Sequence, residues 1–123
     1  MPLGKDILTA RTTRLDSIRV DEWDGEVLLR PLSHMEVIEI QSLARKAVDD
    51  KTGTIRDTKA LQKFNFRLIQ MAWVDADGMQ VLGVDDEELL LSQPNRVIDL
   101  LTRTIRDLNA LSDDASKDAE KNS

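Results

Sequence analysis

Three stretches of this chain repeat their apolar residues every three or four positions, a period that restricts it to a small set of amphipathic helices. In the first stretch Val37, Ile40, Leu43, Ala44, Ala47 and Val48 share one face. Ser33-His34-Met35-Glu36 stands just ahead of them, a hydroxyl cap with a carboxylate three residues on. A helix is predicted from Ser33 to Asp49, closed by the turn chemistry of Asp50-Lys51-Thr52-Gly53. The second helix begins between Thr54 and Thr58 and runs to about Val74, with Leu61, Phe64, Leu68 and Ala72 along one side. Asp75-Ala76-Asp77-Gly78 ends it in a tight turn. The third starts with Pro94 near its first position, where proline sacrifices no hydrogen bond. Its apolar face is Val97, Ile98, Leu101, Ile105 and Leu108, with Asp99, Arg103 and Asp107 as a charge ladder opposite. A brief helix precedes it, with Asp85 as cap, Glu88 three residues later, and Ser92-Gln93-Pro94 as its end.

Ahead of the helices the pattern changes to alternation. Ile18-Arg19-Val20 and Glu26-Val27-Leu28-Leu29-Arg30 flank Asp24-Gly25, a strong short-range hairpin signal, and Pro31 stops the second strand. The predicted fold is mainly α: three main helices and one short one, with an N-terminal β-hairpin and a disordered acidic C-terminal tail. The organisation expected is a flexible polar lead over 1–16, one domain over 17–111, and a disordered tail over 112–123. The tail sequence holds nothing apolar larger than alanine and so has no means of burying a core. Met79 to Val84 reads as a short extended piece.

Composition narrows the function classes. A chain of 123 residues fits one domain that needs neither metal nor disulfide to fold. The 17 Lys and Arg face 23 Asp and Glu, a net charge of −6, and no segment gathers a basic stripe. Such a field repels a phosphate backbone, so no nucleic-acid partner is expected. Arg96, Arg103 and Arg106 are interleaved with Asp99 and Asp107, which argues against a DNA-recognition helix. Cysteine is absent, which removes disulfides, thiol catalysis and thiolate metal sites. No run approaches the roughly 20 apolar residues of a membrane span, and Met1 to Asp6 carries no cleavage signature. A soluble cytosolic protein without a membrane partner is expected.

Catalytic chemistry has no footing in the residues. His34, the sole histidine, sits inside a capping box at a helix start. There is no nucleophile elbow, phosphate-cradling loop or dinucleotide fingerprint. Asp75-Ala76-Asp77-Gly78 resembles the middle of a calcium loop, but with Gly78 sixth the first and twelfth positions fall on Trp73 and Val84, which offer no side-chain oxygen. The paired acids Asp49-Asp50, Asp85-Asp86, Glu87-Glu88 and Asp113-Asp114 suit caps, dipoles and solvation better than acid–base work. The reading is a non-enzyme with no catalytic residue, no metal and no cofactor; an unfamiliar carboxylate enzyme is the distant alternative.

Function then belongs to surfaces. On the second helix Phe66 and Trp73, seven residues apart, project together and away from Leu61, Phe64 and Leu68. Either that helix is central and packed on both sides, or the two aromatics form an exposed interaction face. Leu100 and Leu111 widen the apolar arc of the last helix, for core packing or for self-association. Met35 and Ile38 pair at i, i+3 off the main stripe of the first helix, a weaker candidate patch that also suits packing beneath the hairpin.

The order of these features resembles a known family. Asp6-Ile7-Leu8, then Ile18-Arg19-Val20-Asp21-Glu22-Trp23-Asp24-Gly25-Glu26-Val27, then Leu29-Arg30-Pro31-Leu32-Ser33, is similar to the N-terminal half of tail assembly chaperones from long-tailed phages. Asn65-Phe66-Arg67-Leu68 leading into Trp73-Val74-Asp75-Ala76-Asp77-Gly78, a final helix ending Leu108-Asn109-Ala110-Leu111, and a close at Ala119-Glu120-Lys121-Asn122 resemble the C-terminal half. The likeness covers most of the chain and rests on the ordered combination. It implies a multimerising helper that binds the tape measure protein, keeps it soluble and promotes tail tube assembly. It also implies a longer product, made by a programmed frameshift, whose extension recruits the tail tube protein. The location implied is the host cell cytoplasm, with absence from the mature virion. The rival reading is a small phage structural or connector protein that stays in the particle.

Overall fold

The computed structural model describes Pro2 and residues 4–8, 15–49 and 51–109. The expected tail over 112–123, half of the lead over 1–16, and Leu111 lie outside the described residues. Strands β1 (Asp16–Val20) and β2 (Gly25–Leu29) form the hairpin. They are followed by helices α1 (His34–Ala47) and α2 (Thr58–Ala72), strand β3 (Trp73–Val74), the short helix α3 (Glu87–Leu91) and helix α4 (Asn95–Leu108). A 3₁₀ turn covers Lys5–Leu8, ahead of β1. The sheet is antiparallel throughout, in the order β1-β2-β3.

The hairpin forms where alternation predicts it, but Asp24-Gly25 is not its two-residue turn. Asp21–Trp23 make a 3₁₀ turn and Asp24 takes the left-handed conformation, with φ 49°. Aspartate tolerates that region better than most side chains. The Arg19 guanidinium, 2.8 Å from the Asp24 carboxylate, braces it. Gly25 opens β2 opposite Val20. In this register Val20, Val27 and Leu29 face the helices and are buried, while Arg19 and Glu26 face outward. Among the described residues nothing pairs with the outer edge of β1. Arg19, held by Asp21 and Asp24, marks that edge with charge.

The Ser33–Glu36 box forms as predicted: Ser33 Oγ accepts from the Glu36 amide, and Glu36 Oε1 accepts from the Ser33 amide at 2.9 Å. Sequence gave no sign of the third member. Arg30, at the end of β2, donates from both terminal nitrogens to the two Glu36 oxygens. Strand and helix are thereby joined through one carboxylate. At the other end of α1, Gly53 turns the chain at φ 71°, its amide donating to the Asp49 carbonyl at 2.8 Å. Asp57 then caps α2 by accepting from the amides of Lys59 and Ala60.

Helix α2 is the central helix. It packs on α1 along one side and on α4 and α3 along the other, and Leu68 to Ala72 are buried all round. A helix apolar on every side belongs inside, and this last turn is the middle of the core. It ends at Ala72, two residues earlier than the periodicity suggests. Trp73 and Val74 leave the helix to pair with Leu29 and Leu28, and the Arg30 amide donates to the Ala72 carbonyl at 2.9 Å. Tryptophan and valine suit a pleated strand, and β2 offers an open edge just there. The Asp75–Gly78 turn follows as expected. Asp75 Oδ1 accepts from the amides of Asp77 and Met79, and Gly78 takes φ 82°.

Two local readings change. The carboxylate that holds the turn before α3 is Asp86, accepting from the Gly83 amide at 2.7 Å, in place of Asp85. Leu108, expected on the buried face of α4, is exposed, whereas Val97, Ile98, Leu101 and Ile105 are buried. Thr102 joins them by turning its hydroxyl to the Ile98 carbonyl. Beyond the last turn Asn109 ties two ends together: its Oδ1 accepts from the Leu32 amide and its Nδ2 donates to the Ile105 carbonyl. The hairpin loop docks on the start of α4, where Arg96 holds the Glu22 carboxylate with two hydrogen bonds.

Arg30 and the Ser33 amide hold the Glu36 carboxyl down to about 2, against the opposing effect of burial. A depressed acid stabilises the fold fully above its unfolded value near 4.5 and loses that contribution as pH falls toward about 2. Glu36→Gln is expected to flatten this part of the profile, read as melting temperature against pH by circular dichroism; equal slopes in both proteins contradict the assignment. Leu101, fully buried on α4, is expected to cost about 2–5 kcal/mol as Leu101→Ala in urea denaturation.

Candidate binding groove

The surfaces expected from sequence fare differently from one another. Phe66 is buried, 7% exposed, within the core cluster. Trp73 is not on the helix that would have aligned it with Phe66. It lies in β3, half-buried, with its ring stacked on Trp23 at 5.3 Å between centroids and 20° between planes. The Trp23 indole donates to Gln93 Oε1 at 3.0 Å, so the aromatic pair anchors the hairpin loop to the α3–α4 junction. Among the described residues there is no exposed aromatic face. Leu100 is partly buried against the core. Met35 and Ile38 are exposed, 74% and 46%, on the outer side of α1. Met79, Val81, Val84 and Leu89 add exposed apolar side chains between β3 and α3, a set the sequence reading passed over as an extended piece and a short helix.

The concave feature is elsewhere. Ile40, Ala44 and Ala47 of α1 and Leu61 and Phe64 of α2 floor a groove of about 400 Å³ that opens at the end of these helices where their connecting loop crosses. These are residues predicted to face the core; Ile40, Ala47 and Phe64 are buried there, and the half-buried Ala44 and Leu61 stand at the opening. Two alanines stand where α1 would otherwise fill the space. Val48 and Gly53 line the loop side. Ile55, bridged to Val48, is exposed beside them. Met35 lies about two and a half turns before Ala44, so it points away from the groove at ~100° per residue. The two surfaces are distinct.

Two charged groups line the groove. Asp49 is engaged: its carboxylate accepts from the Lys51 amide and meets Arg56 at 3.5 Å. The Lys51 amide, foremost, lowers its pKa. Arg106 reaches in from α4, half-buried, with Nε donating to the Thr102 carbonyl at 3.3 Å. A second recess, between α2 and α3, is lined by Gln62, Asp85, Glu87 and Glu88 and is open and acidic. Among the described residues no group of three His, Asp or Glu side chains is placed to hold a metal ion, and no helix is long and apolar enough to cross a membrane. What the arrangement offers is a side-chain receptor: an apolar floor, one charged wall and no backbone edge.

An antiparallel three-stranded sheet with a central helix packed between α1 and α4 is the class of fold that carries this groove. A solved structure of the tail assembly chaperone of bacteriophage HK97 has that fold, with a TM-score of 0.54 and 24% sequence identity over 77% of this chain and 84% of that one. No protein-family model and no curated protein matches the chain. The shared fold agrees with the resemblance noted in the order of sequence features.

Core and surface positions separate by stability. Phe66→Ala is expected to cost about 3–5 kcal/mol in urea unfolding. The pair Met35→Ser and Ile38→Ser should each stay within about 0.5 kcal/mol of the parent.

Proposed function

We propose that this chain is a tail assembly chaperone of a long-tailed phage, one that binds the tape measure protein, keeps it soluble and promotes assembly of the tail tube. The observation that carries the reading is an apolar groove left open on a fold shared with the HK97 chaperone. The physical logic is that of a holder. A long helical client with apolar segments aggregates unless those segments are covered, and a carrier needs modest apolar grip together with net charge to stay dispersed. The groove and the exposed Met35 and Ile38 supply the grip, and a net charge of −6 supplies the dispersion. A surface of this size favours moderate affinity, which suits a helper that leaves as the tube closes. No bond is made or broken in this scheme.

On the same reading the chain works in the host cell cytoplasm, self-associates along the client, and is absent from the finished virion. A frameshifted longer form, diverging in the C-terminal segment, recruits the tail tube protein. Co-expression with the tape measure protein of the same phage tests the central claim: the tape measure protein is expected in the soluble fraction with the chain and in the pellet without it. Mass spectrometry of purified virions tests the release. Recovery of the chain at structural stoichiometry assigns it to the particle instead.

A further inference from the structure

We propose that the groove between α1 and α2 receives one face of an amphipathic helix, and that Arg106 pairs with an acidic residue on that helix. The proposal rests on the chaperone reading in taking the helix to be a client's, and it adds the chemistry by which the client is recognised.

Arg19, Arg30, Arg56, Arg67, Arg96 and Arg103 each engage a carboxylate. The exposed Arg45 on α1 has no carboxylate partner among the described residues, but it does not line the groove. Arg106, which does line it and is half-buried, has none among them either, although acids outnumber bases by 23 to 17. Its one contact is a neutral carbonyl in its own helix, which leaves the planar fork of terminal nitrogens available. The other charge in the groove, Asp49, is engaged by the Lys51 amide and by Arg56 at 3.5 Å. The α4 wall of the groove, at Arg106, thus presents a positive charge on a protein that is negative overall. A partner that is apolar alone gains nothing from that wall, and a basic one is repelled. An apolar partner with one carboxylate satisfies both surfaces, and the half-buried setting strengthens the pair beyond a fully exposed one.

The shape favours a helix. The lining comes from helices and a loop, with no strand edge to extend, so backbone pairing is not on offer. Along α1 the floor runs from Ile40 to Ala47, about 10 Å at 1.5 Å per residue. Apolar side chains at i, i+4 and i+7 of a helix span roughly 10 Å, and a groove of about 400 Å³ is of the size that seats a few such groups.

Two fluorescein-labelled peptides of about 20 residues, long enough to hold helix, test this with the full chain. Both carry leucine at i, i+4 and i+7. One has a single glutamate beside them and the other a lysine there. By fluorescence anisotropy the glutamate peptide is expected to bind about tenfold tighter. Arg106→Glu reverses the preference, Arg106→Lys retains it, and Ala44→Phe, which fills the floor without touching charge, weakens both peptides about tenfold. If Arg106→Glu melts before peptide is added, Arg106→Gln decides, and it must lose the preference. Equal binding of the two peptides by the parent, or a preference unmoved by these Arg106 variants, overturns the proposal. So does sedimentation showing a dimer that Arg106→Glu dissolves and that excludes the peptide, because the occupant is then a second copy. Tighter glutamate-peptide binding by the double variant Asp113→Lys, Asp114→Lys also overturns it, since this chain's own C-terminal segment is then the occupant. Co-expression separates the two readings. A tape measure protein kept soluble equally by the parent, Ala44→Phe and Arg106→Glu removes the groove and leaves the chaperone. A parent that fails to keep it soluble removes the chaperone, and the peptide preference then judges the groove alone.

Discussion

Everything in this molecule is arranged around the last turn of α2. Leu68, Ile69 and Ala72 are fully buried, with Met71 nearly so, and a helix end enclosed on all sides must be covered by separate elements from separate parts of the chain. α1 covers one flank, α4 the other, and the sheet the end. That enclosure makes Ala72 the last helical residue, because the chain can continue only by joining the edge of β2. The same demand draws the hairpin loop onto the α3–α4 junction, where the Trp23–Trp73 stack and the Glu22–Arg96 pair fasten it.

The polar contacts serve this packing more than they drive it. Glu36 takes hydrogen bonds from Arg30 and from the Ser33 amide, so the route from β2 into α1 is held by one carboxylate with no unmet partner. Asn109 does the equivalent for the end of α4, linking it to Leu32. Surface ion pairs of the Asp99–Arg103 kind contribute little individually. The groove lies at the other end of α1 from Glu36, where its C-terminal half, the connecting loop and the start of α2 meet.

A binding protein with this layout divides its labour. The core is spent on α2, and the aromatic residues are consumed by folding: Phe64 and Phe66 in the core, Trp23 and Trp73 in a joint. What remains for partners is chiefly aliphatic: the groove, the exposed Met35 and Ile38, and Met79, Val81, Val84 and Leu89 between β3 and α3. Aliphatic and methionine contacts are adaptable and individually weak, which fits a partner that is held and later surrendered.

Local structure was legible from residues because its causes are local. The capping box at Ser33, the period of α1 and α4, the Asp75–Gly78 turn and the two hairpin strands all follow from side chains acting within a few positions of themselves. The charge of −6 and the lack of cysteine likewise bounded the chemistry without any coordinates. Tertiary structure alone decided whether α2 showed one face or none, because burial of Phe66 depends on where α4 lies and not on the spacing of α2. It converted Trp73 from a helical residue into a strand residue, since the open edge of β2 is a neighbour no local pattern encodes. It also made the groove, whose residues come from α1, α2, their loop and α4. Each of these reads from sequence as ordinary core or ordinary surface, and only the angle and distance at which the helices meet leaves a gap between them with Arg106 at its wall.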